Sequence, residues 1–152
     1  MSELPRSSHL RRGRYSETDR IYLITSVTHN RQPIFSDWKL GRLLVDEFRG
    51  VQREGMADSL AWVIMPDHFH WLVELKSSQL PQLMRRVKSG SALSITRAKK
   101  EQFKLWQKGY HDRAIREEND ILPAARYIIA NPLRAGLVNR YGDYPLWDAI
   151  WL

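Results

Sequence analysis

The chain has 152 residues, no cysteine and a net charge of +7. That length suits one domain able to bury most of its apolar surface, and the missing cysteines exclude disulfides, iron–sulfur clusters and thiolate zinc sites, so a metal would have to be held by His, Asp, Glu, Asn or Gln. The excess of 24 Lys and Arg over 17 Asp and Glu favours a polyanionic partner, and the lack of any signal-peptide core or bilayer-length apolar run gives the expectation of a soluble cytoplasmic protein with no membrane partner.

Residues 1–14 carry Arg6, Arg11, Arg12 and Arg14 with little to bury, and read as a flexible basic arm ahead of a single domain over 15–152. "IYLITSVT" (21–28) is rich in β-branched and aromatic residues and predicts a strand. "SDWKLGRLLVDEFRGVQREG" (36–55) sets Leu40, Leu43, Leu44 and Phe48 at helical spacing, opened by Ser36 or Asp37 and closed by Gly55. "SLAWVIM" and "HFHWLVEL" predict two strands joined by a turn at Pro66-Asp67. In 80–100, Leu80, Leu83, Met84 and Val87 form one face of a second helix whose other faces carry Arg85, Arg86, Lys88, Arg97, Lys99 and Lys100.

"FKLWQKGYHDRAIRE" is expected to contain a strand near 110–115, and "NDILPAARYIIANP" is a third helix with Pro123 in its first turn and a stop near Asn131-Pro132. The aromatic tail "YGDYPLWDAIWL" is expected to pack back on the domain. The order strand, helix, hairpin, helix, strand, helix predicts an α+β fold. It would have an antiparallel sheet of about four strands, helices packed mainly on one face, and a ferredoxin-like arrangement.

Alternation along "HFHWLVEL" puts Phe69, Trp71, Val73 and Leu75 on one face of the strand and His68, His70, Leu72 and Glu74 on the other. The two imidazoles can turn toward one cation, or they can simply be half-exposed residues on an open sheet face. A histidine-triad nucleotide hydrolase would need a third His where this chain has Leu72, and the two-histidine phosphoesterases would need a second motif that is not present. Two imidazoles leave a divalent metal short of ligands, so a metal site demands a third donor.

The third helix offers one. Tyr127 and Asn131 are four apart and share a face, with Arg134 following in register; the plainer account makes Tyr127 a boundary aromatic and Asn131 a helix terminator. Taken together, a divalent metal on His68, His70 and the Asn131 oxygen would polarise a phosphodiester while the Tyr127 hydroxyl attacks phosphorus, leaving a phosphotyrosine bond that another 3′-hydroxyl can reverse without ATP. Glu74 is read as offsetting the basic second helix rather than as a ligand, and His9, His29, His111 and Asp112 take no step.

These segments resemble the HUH single-tyrosine transposases, in particular the REP-associated tyrosine transposases of bacteria. "MPDHFHWLVE" is similar to their His-hydrophobic-His motif, "RYIIANPLRAGLV" to their Tyr-x-x-x-Asn helix, and "LWQKGYHDRAIR" to the block between, over about Tyr15 to Tyr144. The resemblance implies Tyr127 as nucleophile and His68, His70 and Asn131 as ligands of Mg²⁺ or Mn²⁺. It also implies cleavage of single-stranded DNA beside palindromic hairpins through a 5′-phosphotyrosine, in a nucleoid-associated protein that is a monomer or, alternatively, a dimer. Arg11, Arg12, Arg14, Arg85, Arg86, Lys88 and Arg134 are the expected DNA contacts. Trp106 is a further candidate as a base-stacking platform, with core packing its favoured role. The rival functions are a domesticated hairpin-binding protein that no longer cuts and a nucleotide phosphohydrolase using water.

Overall fold

The computed structural model describes residues 20–150, so the expected basic arm lies outside them, and Arg11, Arg12 and Arg14 with it. Five strands, β1 (Ile21–Val27), β2 (Ala57–Met65), β3 (His68–Leu75), β4 (His111–Ile115) and β5 (Trp147–Ala149), form one sheet in the order β4-β1-β3-β2-β5. Every pairing is antiparallel. The first four strands, with α1 (Trp38–Arg53) between β1 and β2 and α2 (Leu80–Lys99) between β3 and β4, have the ferredoxin-like order. β5 adds a strand to the free edge of β2 through Ala61, Trp62 and Val63. At three residues it is too short for alternation to announce it in the sequence.

Aromatic packing decides which face of the sheet is which. Phe48 of α1 stacks on Trp71 with ring centroids 4.4 Å apart and meets Phe69 edge-on at 5.3 Å. Trp62 and Ile64 share that face, because they pair directly with Trp71 and Phe69. α2 joins α1 there: Trp106 packs edge-on against Phe69 and donates its indole N–H to Ser91 of α2. α1 begins at Asp37, whose side chain accepts from the Lys39 N–H, and ends at Gly55 with φ +73°, the left-handed position glycine takes readily.

α3 (Ile121–Arg134) lies on the opposite face, so two of the three helices share a layer and the third stands against the histidine side. Ala61, Val63 and Met65 pair with Leu72, His70 and His68, hence point to that side, and all three are buried. The helix covers them with Ile121, Ala124, Ala125 and Ile128. The expected stop at Asn131-Pro132 is overturned, because Pro132 lies inside the helix. Its missing N–H costs only one bond so near the end. The terminator is Gly136, with φ +75°: its N–H bonds to Leu133 O at 3.1 Å and the Leu137 N–H bonds to Pro132 O at 3.0 Å, a Schellman ending.

Because Phe48 is 1% exposed and wedged among Phe69, Trp62 and Trp71, Phe48→Ala should cost about 3–5 kcal/mol of stability. Urea unfolding of the variant against the parent chain measures the difference.

Candidate active site

Burying Phe69 and Trp71 against Phe48 leaves His68 and His70 no choice but the other face of β3. Their rings stand 4.9 Å apart, centroid to centroid. Each is steered by a bond at Nδ1. His68 Nδ1 lies 2.7 Å from Asp67 Oδ1, and Asp67 is held in turn by Arg31 at 3.0 Å. An ionised carboxylate only accepts, so the His68 proton sits on Nδ1 and the Nε2 lone pair faces outward. His70 Nδ1 lies 2.7 Å from Thr25 Oγ1, directly opposite it on β1. The hydroxyl satisfies either tautomer, and the one protonated at Nδ1 again frees Nε2.

Charge is tuned to match. Burial would raise the Asp67 carboxyl, but hydrogen bonds from His68 and Arg31 outweigh it and hold its pKa below the ordinary value. Burial, with the nearby His68 and Arg134 adding to it, pushes His70 down to about 4. It is therefore neutral at pH 7, the form in which imidazole binds a metal.

α3 completes the constellation. The Tyr127 ring meets His70 with centroids 5.7 Å apart, although Tyr127 itself remains 49% exposed. Arg134 lies over the Tyr127 ring at 4.2 Å and donates to Asn131 Oδ1 at 2.9 Å. Asn131 is relieved of any duty as helix terminator by Gly136, so its side chain is not needed to end α3. Among the described residues no cluster of three or more His, Cys, Asp or Glu could hold a metal. The Asn131 amide places a neutral oxygen on the tyrosine's stripe of α3. Glu74 pairs with Lys76 at 3.5 Å and sits four residues along β3 from His70, about 13 Å away by strand rise.

Other expected DNA contacts fare differently. Arg86 is committed to Glu47 and Glu54 of the α1 region. Lys88 donates to the carbonyls of Gln107 and Gly109 at 2.9 and 2.7 Å, and burial with the nearby Lys104 lowers its pKa. Trp106 is core, 6% exposed with its N–H satisfied, so no ring face is open for a base. Arg85 is exposed, but α2 lies on the sheet face away from the histidines. Sequence reasoning missed Thr25, Asp67 and Arg31. Asp67 adjoins His68, a visible hint, whereas Thr25 and Arg31 reach the site only through β1 pairing and the turn after it. It also missed Arg113: through its pairing with Leu23 it shares the histidine face, where β4 leaves it and His111 exposed. A cavity of about 550 Å³ between α1 and β5, lined by Gln52, Ser59 and Asp148 among others, gathers none of these residues.

The chain belongs to the family of IS200-like transposases, whose model matches residues 17–131. It is similar to the REP-associated tyrosine transposase of Escherichia coli strain K12, 28% identical over 97 residues that cover 62% of this chain and 56% of that protein. An uncharacterized Haemophilus influenzae protein is 33% identical over 95 residues, covering 47% of this chain and 52% of its own length. The chain thus spans little more than half of these two curated relatives. A solved REP-associated tyrosine transposase bound to a REP hairpin shares the fold at TM-score 0.73 and 24% identity, over 97% of this chain and 82% of that one.

His70 favours the neutral form in the fold but titrates near 6.5 when unfolded, so the unfolded state binds the extra proton first and stability should fall as pH drops from about 6.5 toward 4. Histidine ¹H–¹³C NMR should place its midpoint near 4, and His70→Gln should flatten the stability slope in that window. Asp67→Ala should move the His68 proton from Nδ1 toward Nε2, read from its ¹⁵N shifts.

Proposed function

We propose that the chain is a metal-dependent single-strand DNA endonuclease and strand transferase that works beside REP-type palindromic hairpins through a 5′-phosphotyrosine intermediate. The observation that carries this reading is the exposed Tyr127 phenol standing against His70, with Asn131 and Arg134 on its own helix stripe. A water-using hydrolase has no need of that tyrosine. Its relatives named for REP elements, and the solved relative described as bound to a REP hairpin, support the choice of substrate.

His68 Nε2, His70 Nε2 and Asn131 Oδ1 are the proposed ligands of Mg²⁺ or Mn²⁺. Such an ion would polarise a non-bridging phosphate oxygen and offset charge on the attacking and leaving oxygens. Tyr127 Oη attacks the phosphorus of one phosphodiester and gives up its proton. The phosphorus–O3′ bond breaks, the 3′ oxygen leaves as a hydroxyl, and the 5′-phosphate stays on the tyrosine. Attack by a second 3′-hydroxyl reverses the chemistry and joins the strands. Thr25 and Asp67 keep the imidazoles in place throughout. On the histidine face, Arg113 and His111 of β4 are exposed among the described residues and give a polyanionic strand a way in.

Incubation with Mn²⁺ and a single-stranded oligonucleotide carrying a hairpin and both flanks should give a protein–DNA adduct that survives denaturation, with the DNA on Tyr127 by peptide mapping. Tyr127→Phe keeps the ring and should abolish adduct and cleavage alike while hairpin binding persists. Cleavage that continues without an adduct would make water the nucleophile. Tight binding with neither product would indicate a hairpin-binding protein instead.

A further inference from the structure

Tyr127, Asn131 and Arg134 stand at i, i+4 and i+7 of α3 and share one stripe of it. The Arg134 guanidinium covers the phenol ring and donates to Asn131 Oδ1. The other end of the same amide is in the opposite condition, since Asn131 Nδ2 is buried and meets no acceptor among the described residues. A buried donor without a partner opposes the conformation that leaves it so. Nothing at the nitrogen end therefore selects the amide's orientation. Turning the amide over would set its NH₂ against the guanidinium N–H, donor against donor. Among the described residues, the guanidinium alone keeps the oxygen on the tyrosine's side of the helix and the nitrogen inside.

We infer that Arg134 is a positioning residue for the proposed reaction, holding the Asn131 oxygen and the Tyr127 ring in one arrangement. The inference rests on the reading of Asn131 as a metal ligand and Tyr127 as the nucleophile. Arginine has the required shape: its planar fork lies on an aromatic face and still donates sideways to an amide, which a lysine ammonium does not combine. The role differs in sign from that of a cation waiting for phosphate. Charge alone makes loss of Arg134 tighten the binding of a divalent ion beside Asn131, because a like charge disappears. Positioning makes the same loss weaken it, because the amide is released to rotate.

Mn²⁺ titration of the DNA-free protein, by calorimetry or by the electron paramagnetic resonance of free Mn²⁺, separates the two. Arg134→Ala should weaken binding severalfold, toward the level of Asn131→Ala, and the double variant should be no weaker than Asn131→Ala alone. Arg134→Gln, which still donates to Oδ1 without charge, should recover most of the affinity; Arg134→Lys should recover less. In metal-free protein, the Asn131 carboxamide should show one set of NMR signals with cross-peaks to the helix interior. That set should be lost in Arg134→Ala and kept in Arg134→Gln, while the rest of the spectrum confirms the fold. Unchanged or tighter Mn²⁺ binding in Arg134→Ala, with the amide signals undisturbed, overturns the positioning role and leaves the ligand reading standing. Mn²⁺ affinity indifferent to Asn131→Ala overturns the ligand reading and this inference with it.

Discussion

Phe69 and Trp71 can be buried against Phe48 only if the residues between and before them point the other way. The period of a strand is two, so the same contact that anchors α1 to the sheet delivers His68 and His70 to the opposite face, side by side. A slip of one residue in the β1–β3 register would break both halves of the arrangement. Trp71 would leave the core, and Thr25 would no longer lie across from His70. The chemistry-bearing side chains thus depend on hydrophobic packing that never touches them.

α3 uses the same economy on a helical period. Ile121, Ala124, Ala125 and Ile128 bury the histidine side of β2. The residues interleaved with them bring Tyr127 to His70 and Arg134 back over Tyr127. Gly136 is what permits this. Its left-handed backbone ends the helix a turn beyond Asn131, so the asparagine is not required to cap it.

Electrostatics divides along the sheet. On the α1–α2 layer, Arg86 and Lys88 are spent on carboxylates and loop carbonyls. On the histidine layer, Arg31 reaches His68 through Asp67, Arg134 acts on His70, and Arg113 shares their face, while burial keeps His70 neutral. A net positive chain therefore spends part of its positive charge on the face away from the candidate site, which the bare count of Lys and Arg did not distinguish.

Local periodicity was enough to read the strand–helix order, the ferredoxin-like sheet, and the separation of His68 and His70 from Phe69 and Trp71, because each depends on residues only a few positions apart. The same spacing put Tyr127 and Asn131 on one helical face. Other features depended on contacts across the chain. β5 exists because β2 has a free edge, and α3 runs through Pro132 because Gly136 can close it. Trp106 belongs to the core because Ser91 and Phe69 meet there. The residues that aim the imidazoles, Thr25 for His70 and Arg31 through Asp67 for His68, are 45 and 36 positions away from His70 and Asp67 in sequence. No periodicity links such pairs; strand register brings them together, and register is decided only when the whole core packs.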